Sequence, residues 1–234
     1  MLKTNAQLVM SALRGIPRMR IATLLIVLVV AFLVLLEKNL SSTVSARGDV
    51  YPALLTFVVI LSKTIIPLAV LWTVFHLKPS SLGWVRSSLF TAVWKGLALA
   101  LMMMAFAFAY QHYSPLLFGK PYVSTGARIL HEGTSLPAMG IGVAAALLNA
   151  FGEEIIFRGM LLPLLLPYRG ITMALLLQSV VFTLYHFFPL QNSLLLFGMG
   201  IFFGWGYLWS GSLLTPVLAH LIENGLPSLI FLMR

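Results

Sequence analysis

The stretch Gly152-Glu153-Glu154-Ile155-Ile156-Phe157-Arg158-Gly159 lies inside a long run of otherwise apolar residues, 139–166. If that run crosses a bilayer, two adjacent carboxylates and a guanidinium fall at membrane depth. A charged side chain at the centre of a bilayer costs roughly 3 kcal/mol on insertion scales, so such residues are rare and indicate a functional site. These charges therefore need partners from elsewhere in the chain.

The composition indicates an integral membrane protein. The chain has 234 residues, of which 60% are hydrophobic and 9% are charged, whereas soluble domains carry about 25% charged residues. The net charge of +9 is typical of basic cytoplasmic loops and attraction to anionic lipid, and it does not favour a nucleic-acid partner. Because there is no cysteine, disulfides, thiolate metal ligands and cysteine nucleophiles are excluded.

Seven apolar runs predict an all-α, polytopic transmembrane bundle of about seven spans, with six or eight as alternatives. Residues 1–137 would hold the N-terminal transmembrane helices and their loops. Residues 138–234 would hold the last four helices and the catalytic core. The approximate runs are 21–36, 53–75, 89–110, 138–166, 171–188, 193–209 and 213–233.

The positions of lysine and arginine predict the orientation in the membrane. Four basic residues and no acid precede the first run, and residues 37–52 are balanced in charge. The next cytoplasmic candidates are the basic loop 76–88 and the loop that contains Arg169. We therefore expect a multi-pass protein of the cell membrane with a cytoplasmic N-terminus.

The two acids of the central stretch have different surroundings. Glu154 and Arg158 are four residues apart, so on a helix they share a face and can form an ion pair. Glu153 is rotated from Glu154 by about 100°. One carboxylate can thus be neutralised while the other faces a cavity, which is the separation of roles that acid–base chemistry requires. The alternative is a buried ion-pair network that only orients helices.

Two later runs carry polar groups at helical spacing. His186 follows Phe182 by four residues, and Asn224 follows His220 by four. Each pair alone is equally typical of an interhelical hydrogen bond. Together with the carboxylates, however, they are groups that hydrocarbon rejects, so they must converge on one another or on water. A carboxylate and histidines can take a proton from water, and a His/Asn pair can donate to an oxyanion.

Other membrane-protease chemistries fit the sequence poorly. There is no His-Glu-x-x-His motif, and Asp49 is the only aspartate, which excludes an aspartyl dyad. A shared site does face one geometric difficulty. Straight helices of equal length would separate Glu153, His186 and His220 by roughly 10 Å in depth. Helix tilt, or a break at Gly152 or Pro189, would be needed to bring them together.

Three motifs in hydrophobic helices carry a family resemblance that covers about residues 138–230. The motifs are, in chain order, Glu153-Glu154-x-x-x-Arg158, Phe182-x-x-x-His186 and His220-x-x-x-Asn224. Together they resemble those of the CPBP family, which comprises CAAX proteases and bacteriocin-processing enzymes. This family is also called the Abi family of glutamic intramembrane peptidases.

The resemblance implies a role for each motif residue. Glu153 would be the general base that activates the attacking water, and His186 would help to hold that water. His220 and Asn224 of the last helix would stabilise the oxyanion. Glu154 and Arg158 would position Glu153.

The function that the resemblance implies is an intramembrane glutamic endopeptidase without a metal or other cofactor. Its substrate would be a membrane-associated protein or peptide in the lipid bilayer, CAAX-like or lipidated in the manner of the eukaryotic members. The alternatives are a non-proteolytic bacteriocin-immunity or scaffolding protein and a proton-relay transporter. A further alternative is a metal-dependent hydrolase, since carboxylate and imidazole suit Zn, Mn or Fe. Its ligands would be Glu153, Glu154, His186 and His220.

Overall fold

The structure is a computed structural model that describes residue 23 and residues 26–35, 50–73, 83–84, 87–120 and 136–232. Within these residues all regular structure is helical, which confirms the all-α prediction. The basic residues before the first apolar run lie outside the described residues. The predicted orientation of the N-terminus therefore stays a prediction.

Six helices and one π-helical segment form the bundle in the described part of the chain. The seven-residue π-helical segment, Ile155–Leu161, continues the third helix into the fourth. A shorter apolar helix, Ile26–Leu35, precedes them. In chain order the six helices are α1 (Val50–Thr73), α2 (Leu89–Phe118), α3 (Leu136–Glu154), α4 (Leu162–Tyr185), α5 (Leu190–Ser210) and α6 (Leu214–Leu232).

Three stretches of the described residues are long and apolar enough to cross a membrane, namely Leu89–Phe118, Gly140–Tyr185 and Leu190–Ser210. The second has 46 residues, which corresponds to about 69 Å of helix. This is more than twice the hydrocarbon thickness of about 30 Å. A helical membrane bundle is thus confirmed, and the count of seven spans stays a prediction.

The long second stretch is a pair of antiparallel arms, because the chain reverses at Gly170. Gly170 has φ 71° and ψ 175° inside an otherwise helical run, a conformation that favours glycine. Phe157 and Phe182 would lie about 37 Å apart in one straight helix, yet their ring centroids are 5.0 Å apart. The connection predicted at 167–170 is therefore confirmed.

The π-helical segment is the centre of the larger apolar cluster. All of its residues are buried, and they pack against side chains of α4, α5 and α6 such as Phe182, Tyr207 and Val217. Lipid tails are as apolar as these side chains, so close van der Waals packing and polar contacts hold such helices together. The segment that carries Arg158 is consequently the most enclosed part of the bundle.

Helix α2 is longer than the sequence suggests. It continues to Phe118, beyond the predicted end at Tyr110, and Gly119 closes it with φ 65°. The polar residues after Tyr110 favoured a loop, but the Tyr110 hydroxyl donates to the backbone carbonyl of Gln191 at the start of α5. The Gln191 amide in turn donates to Ser114 at 3.3 Å. Contacts between helices thus satisfy the polar groups that suggested a break.

Lys95, near the start of α2, is buried, with 6% of its surface exposed. Its ammonium donates to the carbonyl of Trp209 at 3.0 Å and lies 4.9 Å from the Trp209 ring centroid. Carbonyls in the last turn of a helix lack intrahelical partners and accept such hydrogen bonds. Lys95 therefore caps the end of α5.

Helices α1 and α3 are in close contact at Gly152. A Cβ atom at Gly152 would lie 2.4 Å from the Thr64 hydroxyl oxygen. Thr64 also donates to the carbonyl of Leu148 at 3.3 Å. Small residues permit this kind of close contact between membrane helices. The contact fixes α1 against the helix that carries Glu153.

We expect the substitution Gly152→Ala to destabilise the protein by about 1–3 kcal/mol, because the added methyl group overlaps Thr64. Thermal unfolding of the detergent-solubilised protein measures the effect. Gly142→Ala is the matched control on the same helix, since a Cβ atom there meets nothing within 4 Å. Equal melting temperatures for the two variants would show that the close approach is wrong.

Candidate active site

Glu154 and Arg158 form a buried ion pair at the junction of α3 and the π-helical segment. The Arg158 Nη1 donates to Glu154 Oε1 at 3.0 Å, and neither side chain is exposed. The guanidinium also lies over the rings of Phe182 and Phe203, 4.5 and 4.9 Å from their centroids. The pairing predicted from the four-residue spacing is confirmed.

The backbone of α5 provides a further acceptor for this arginine. Arg158 Nη2 donates to the carbonyl of Gly200 at 3.1 Å, and the Gln178 amide donates to the same oxygen at 2.8 Å. A Cβ atom at Gly200 would lie 3.0 Å from the Ser179 Cβ. Glycine therefore allows α4 and α5 to approach until both donors reach this carbonyl. Sequence reasoning did not identify Gln178 or Gly200.

His220 of α6 joins the two acids. Its Nδ1 donates to Glu154 Oε1 at 2.8 Å, and its Nε2 lies 3.9 Å from Glu153 Oε2. The ring stacks on Phe203, with centroids 4.4 Å apart and an interplanar angle of 26°. The hydrogen bond to Glu154 was not predicted, because the sequence paired that acid with Arg158 alone. The bond fixes which nitrogen of the ring faces Glu153.

His186 follows the last residue of α4 and approaches Glu153 from the opposite arm. Its Nδ1 donates to the carbonyl of Phe182 at 2.7 Å, and its Nε2 lies 3.5 Å from Glu153 Oε1. Its side chain is 16% exposed. The next residue, Phe187, has φ 50°, an uncommon conformation for a bulky residue that turns the chain away from the site. His186 is thus held at the open side of the cluster.

Glu153 lies between these groups and is only 3% exposed. The amide of Asn149, one turn earlier on α3, donates to Glu153 Oε1 at 2.7 Å. Sequence reasoning missed Asn149, although the same four-residue spacing that revealed the other pairs would have indicated it. This bond fixes the orientation of the carboxylate.

The expected difference in depth between Glu153 and the histidines is absent. Glu153 and His186 lie at nearly equal sequence distances from Gly170, so the two antiparallel arms bring them level. The predicted difference arose from treating the spans as equal in length, whereas α3 and the π-helical segment continue well beyond one bilayer thickness. The reversal at Gly170 therefore assembles the cluster, and a break at Gly152 is not needed.

Asn224 lies one turn after His220 on α6. Its amide donates to the backbone carbonyl of Ala146 at 3.2 Å, which connects α6 to the helix that carries Glu153. The structure thus brings Glu153, His186 and His220 together, and it places Asn224 against the same helix nearer to its start. The catalytic roles of these residues stay predictions.

Among the residues that the structure describes, no group of three or more acidic or histidine side chains has the arrangement of a metal site. The Nδ1 atoms of both histidines are engaged with protein oxygens at 2.7 and 2.8 Å. Only their Nε2 atoms face Glu153.

Comparison with known families supports a membrane peptidase. Residues 135–226 match a family model described as Type II CAAX prenyl endopeptidase Rce1-like. The match confirms the resemblance to the CPBP/CAAX protease family, and the matched segment contains all six candidate residues. It agrees with a membrane endopeptidase that acts on a membrane-associated protein. No curated protein and no solved structure matches the chain.

We expect Arg158→Met to destabilise the protein by about 3–5 kcal/mol, because it leaves the Glu154 carboxylate buried without its cation. Thermal unfolding measures the loss. Arg169→Met, at an exposed arginine in the reversal, is the matched control and should have little effect. The double variant Glu154→Gln/Arg158→Met should recover part of the loss. A single variant as stable as the control would contradict the ion-pair interpretation.

Proposed function

We propose that the protein is an intramembrane glutamic endopeptidase in which Glu153 activates a water molecule for attack on a peptide bond. The observation that carries the proposal is the approach of two imidazole nitrogens to one buried carboxylate. The distances are 3.5 Å from His186 Nε2 and 3.9 Å from His220 Nε2. Both exceed a direct hydrogen bond and are short enough for one water molecule to contact all three groups.

The hydrogen bond of His186 determines what its other nitrogen can do. A backbone carbonyl only accepts, so Nδ1 carries the proton that is donated to Phe182. In the neutral ring, Nε2 is then an acceptor that faces another acceptor, Glu153 Oε1. A water molecule has two O–H donors and can donate one to each. Its remaining lone pair is free to attack a carbonyl carbon.

The proposed reaction needs no covalent enzyme intermediate. Glu153 takes a proton from the water as the oxygen bonds to the scissile carbonyl carbon, and the carbonyl electrons move to its oxygen. When this oxyanion collapses, the carbonyl bond forms again and the C–N bond breaks. The departing nitrogen takes the proton back from Glu153, so the carboxylate is regenerated. One new carboxyl group and one new amine are the products.

His220 and Asn224 are the proposed donors to the oxyanion. The Glu154 carboxylate at Nδ1 stabilises a positively charged His220 ring, whose Nε2 can then donate to developing negative charge. Arg158 and the Gly200 carbonyl hold Glu154 in place for this purpose. Glu154 and Arg158 therefore act on the reaction through His220 and are positioning residues.

An apolar groove between α1 and α3 supports a lipid-bearing substrate. It has a volume of about 390 Å³ and is lined by Leu54, Phe57, Pro137, Gly140, Ile141 and Ala144. Along α3 it extends from about 24 Å to about 14 Å before Glu153. We place the hydrocarbon chain of a CAAX-like or otherwise lipidated protein in this groove, with the peptide bond at Glu153. The protein would act in the cell membrane with its N-terminus in the cytoplasm.

We expect Glu153→Gln to reduce cleavage by about 100-fold or more, because general base catalysis contributes on this scale. Hydrolysis of a fluorogenic prenylated peptide by protein in lipid nanodiscs measures the loss. Glu37→Gln, the same change in the polar stretch after the first apolar run, is the matched control. Full activity of Glu153→Gln would exclude Glu153 as the base. An unchanged cellular phenotype would favour the immunity or scaffolding alternative.

We expect that removal of divalent metals by a chelator leaves peptide cleavage unchanged, because the proposed water is activated by Glu153 and His186 alone. Activity before and after dialysis, together with metal analysis of the purified protein, checks this expectation. Loss of activity on dialysis and recovery on addition of Zn²⁺ would instead establish the metal-dependent alternative.

A further inference from the structure

Lys63 is a buried cation that the reaction described above does not use. It lies near the middle of α1, outside the residues 135–226 that match the family model. Only 6% of its surface is exposed. A lysine in a membrane helix usually extends its ammonium to the interface, and one that remains inside the bundle is costly unless it meets compensating charge. The position of Lys63 therefore needs an explanation.

The packing of α1 against α3 places Lys63 level with Glu153. The next residue, Thr64, is in close contact with α3, where a Cβ atom at Gly152 would overlap its hydroxyl oxygen. Gly152 directly precedes Glu153. The two charged residues are thus immediate sequence neighbours of a close contact between their helices.

Contacts with α4 place Lys63 on the same side of the cluster as His186. The Lys63 ammonium lies 5.8 Å from the ring centroid of Tyr185. The ring of Tyr185 lies 5.0 Å from that of His186. Helices α1, α4 and α6 therefore all approach α3 near Glu153, and α1 contributes the cation.

The charges around Glu153 differ from those around Glu154. Arg158 compensates Glu154 directly, with a separation of 3.0 Å. Glu153 accepts a neutral amide hydrogen bond from Asn149 at 2.7 Å, and its other neighbours are the imidazoles of His186 and His220, at 3.5 and 3.9 Å. A buried charge without an opposite charge is strongly unfavourable. Because His186 is neutral in the proposed reaction, Lys63 supplies positive charge on that side of Glu153.

We propose that Lys63 is a positioning residue of this site, whose ammonium compensates the charge of Glu153 and keeps its carboxylate ionised and aimed at the histidines. The inference rests on the proposed role of Glu153 as the base. An ionised carboxylate is required for proton abstraction but not for substrate binding. Loss of Lys63 should therefore lower turnover and leave binding nearly unchanged.

Steady-state kinetics of Lys63→Met with the prenylated peptide tests the proposal. We expect kcat to fall by about 10–100-fold, as for other residues that orient a reacting group, while KM changes by less than about twofold. Lys63→Arg should restore most of kcat, because it retains the positive charge. Lys95→Met is the matched control, since Lys95 is an equally buried lysine that caps α5. It should lower the melting temperature and leave kcat near the wild-type value.

Several outcomes would overturn the proposal. They are a wild-type kcat in Lys63→Met, a rise in KM alone, which would indicate substrate binding, and a failure of Lys63→Arg to restore turnover. If Lys63→Met does not accumulate in the membrane, Lys63→Gln gives the same comparison, because it removes the charge and retains polarity. Glu153→Gln is assayed in parallel. An active Glu153→Gln overturns the proposed function itself, whereas an inactive one beside an active Lys63→Met overturns only the role of Lys63.

Discussion

The buried ion pair between Glu154 and Arg158 is the interaction on which the rest of the structure depends. Neither charge is tolerable in hydrocarbon alone, and the two together still require further donors and acceptors. The partners come from every later helix: the Phe182 ring from α4, the Gly200 carbonyl from α5 and His220 from α6. Contacts with this one pair therefore hold the C-terminal helices against α3.

The same interaction connects stability to chemistry. His220 donates from Nδ1 to Glu154, and this bond turns Nε2 towards Glu153. The π-helical segment begins directly after Glu154 and contains Arg158, and π-helical turns within α-helices are frequent at functional sites. One acid is thereby committed to structure, and the adjacent acid faces the two histidines at the more open side of the cluster.

Much of the fold and of the site could be predicted because segments within hydrocarbon must be apolar and helical, and their polar side chains must find partners within the protein. Apolar runs gave the helices, the residues around Gly170 gave a reversal, and the four-residue spacing gave the pairing of Glu154 with Arg158. The predicted difference in depth between Glu153 and His186 was wrong because the prediction assumed spans of equal length. What decides their meeting is the reversal point, from which both residues are nearly equally distant.

The features that sequence reasoning missed depend on contacts between helices distant in the chain. The carbonyl of Gly200 has no signature in its side chain, and the role of Gln178 requires the close approach of α4 to α5. In the sequence, Lys95 resembles a lysine at a membrane interface. Its hydrogen bond to the end of α5 is visible only in the folded structure. Lys63 likewise interrupts an apolar run, and its relation to Glu153 appears only when α1 meets α3 at Gly152.

The most direct test of the central claim is an experimental structure of the protein in lipid, at a resolution that shows ordered water. We predict a water molecule within about 3.2 Å of both a Glu153 carboxylate oxygen and His186 Nε2, with Nδ1 of His186 still bonded to the Phe182 carbonyl. A direct hydrogen bond between the imidazole and the carboxylate, with no water between them, would contradict the proposed base.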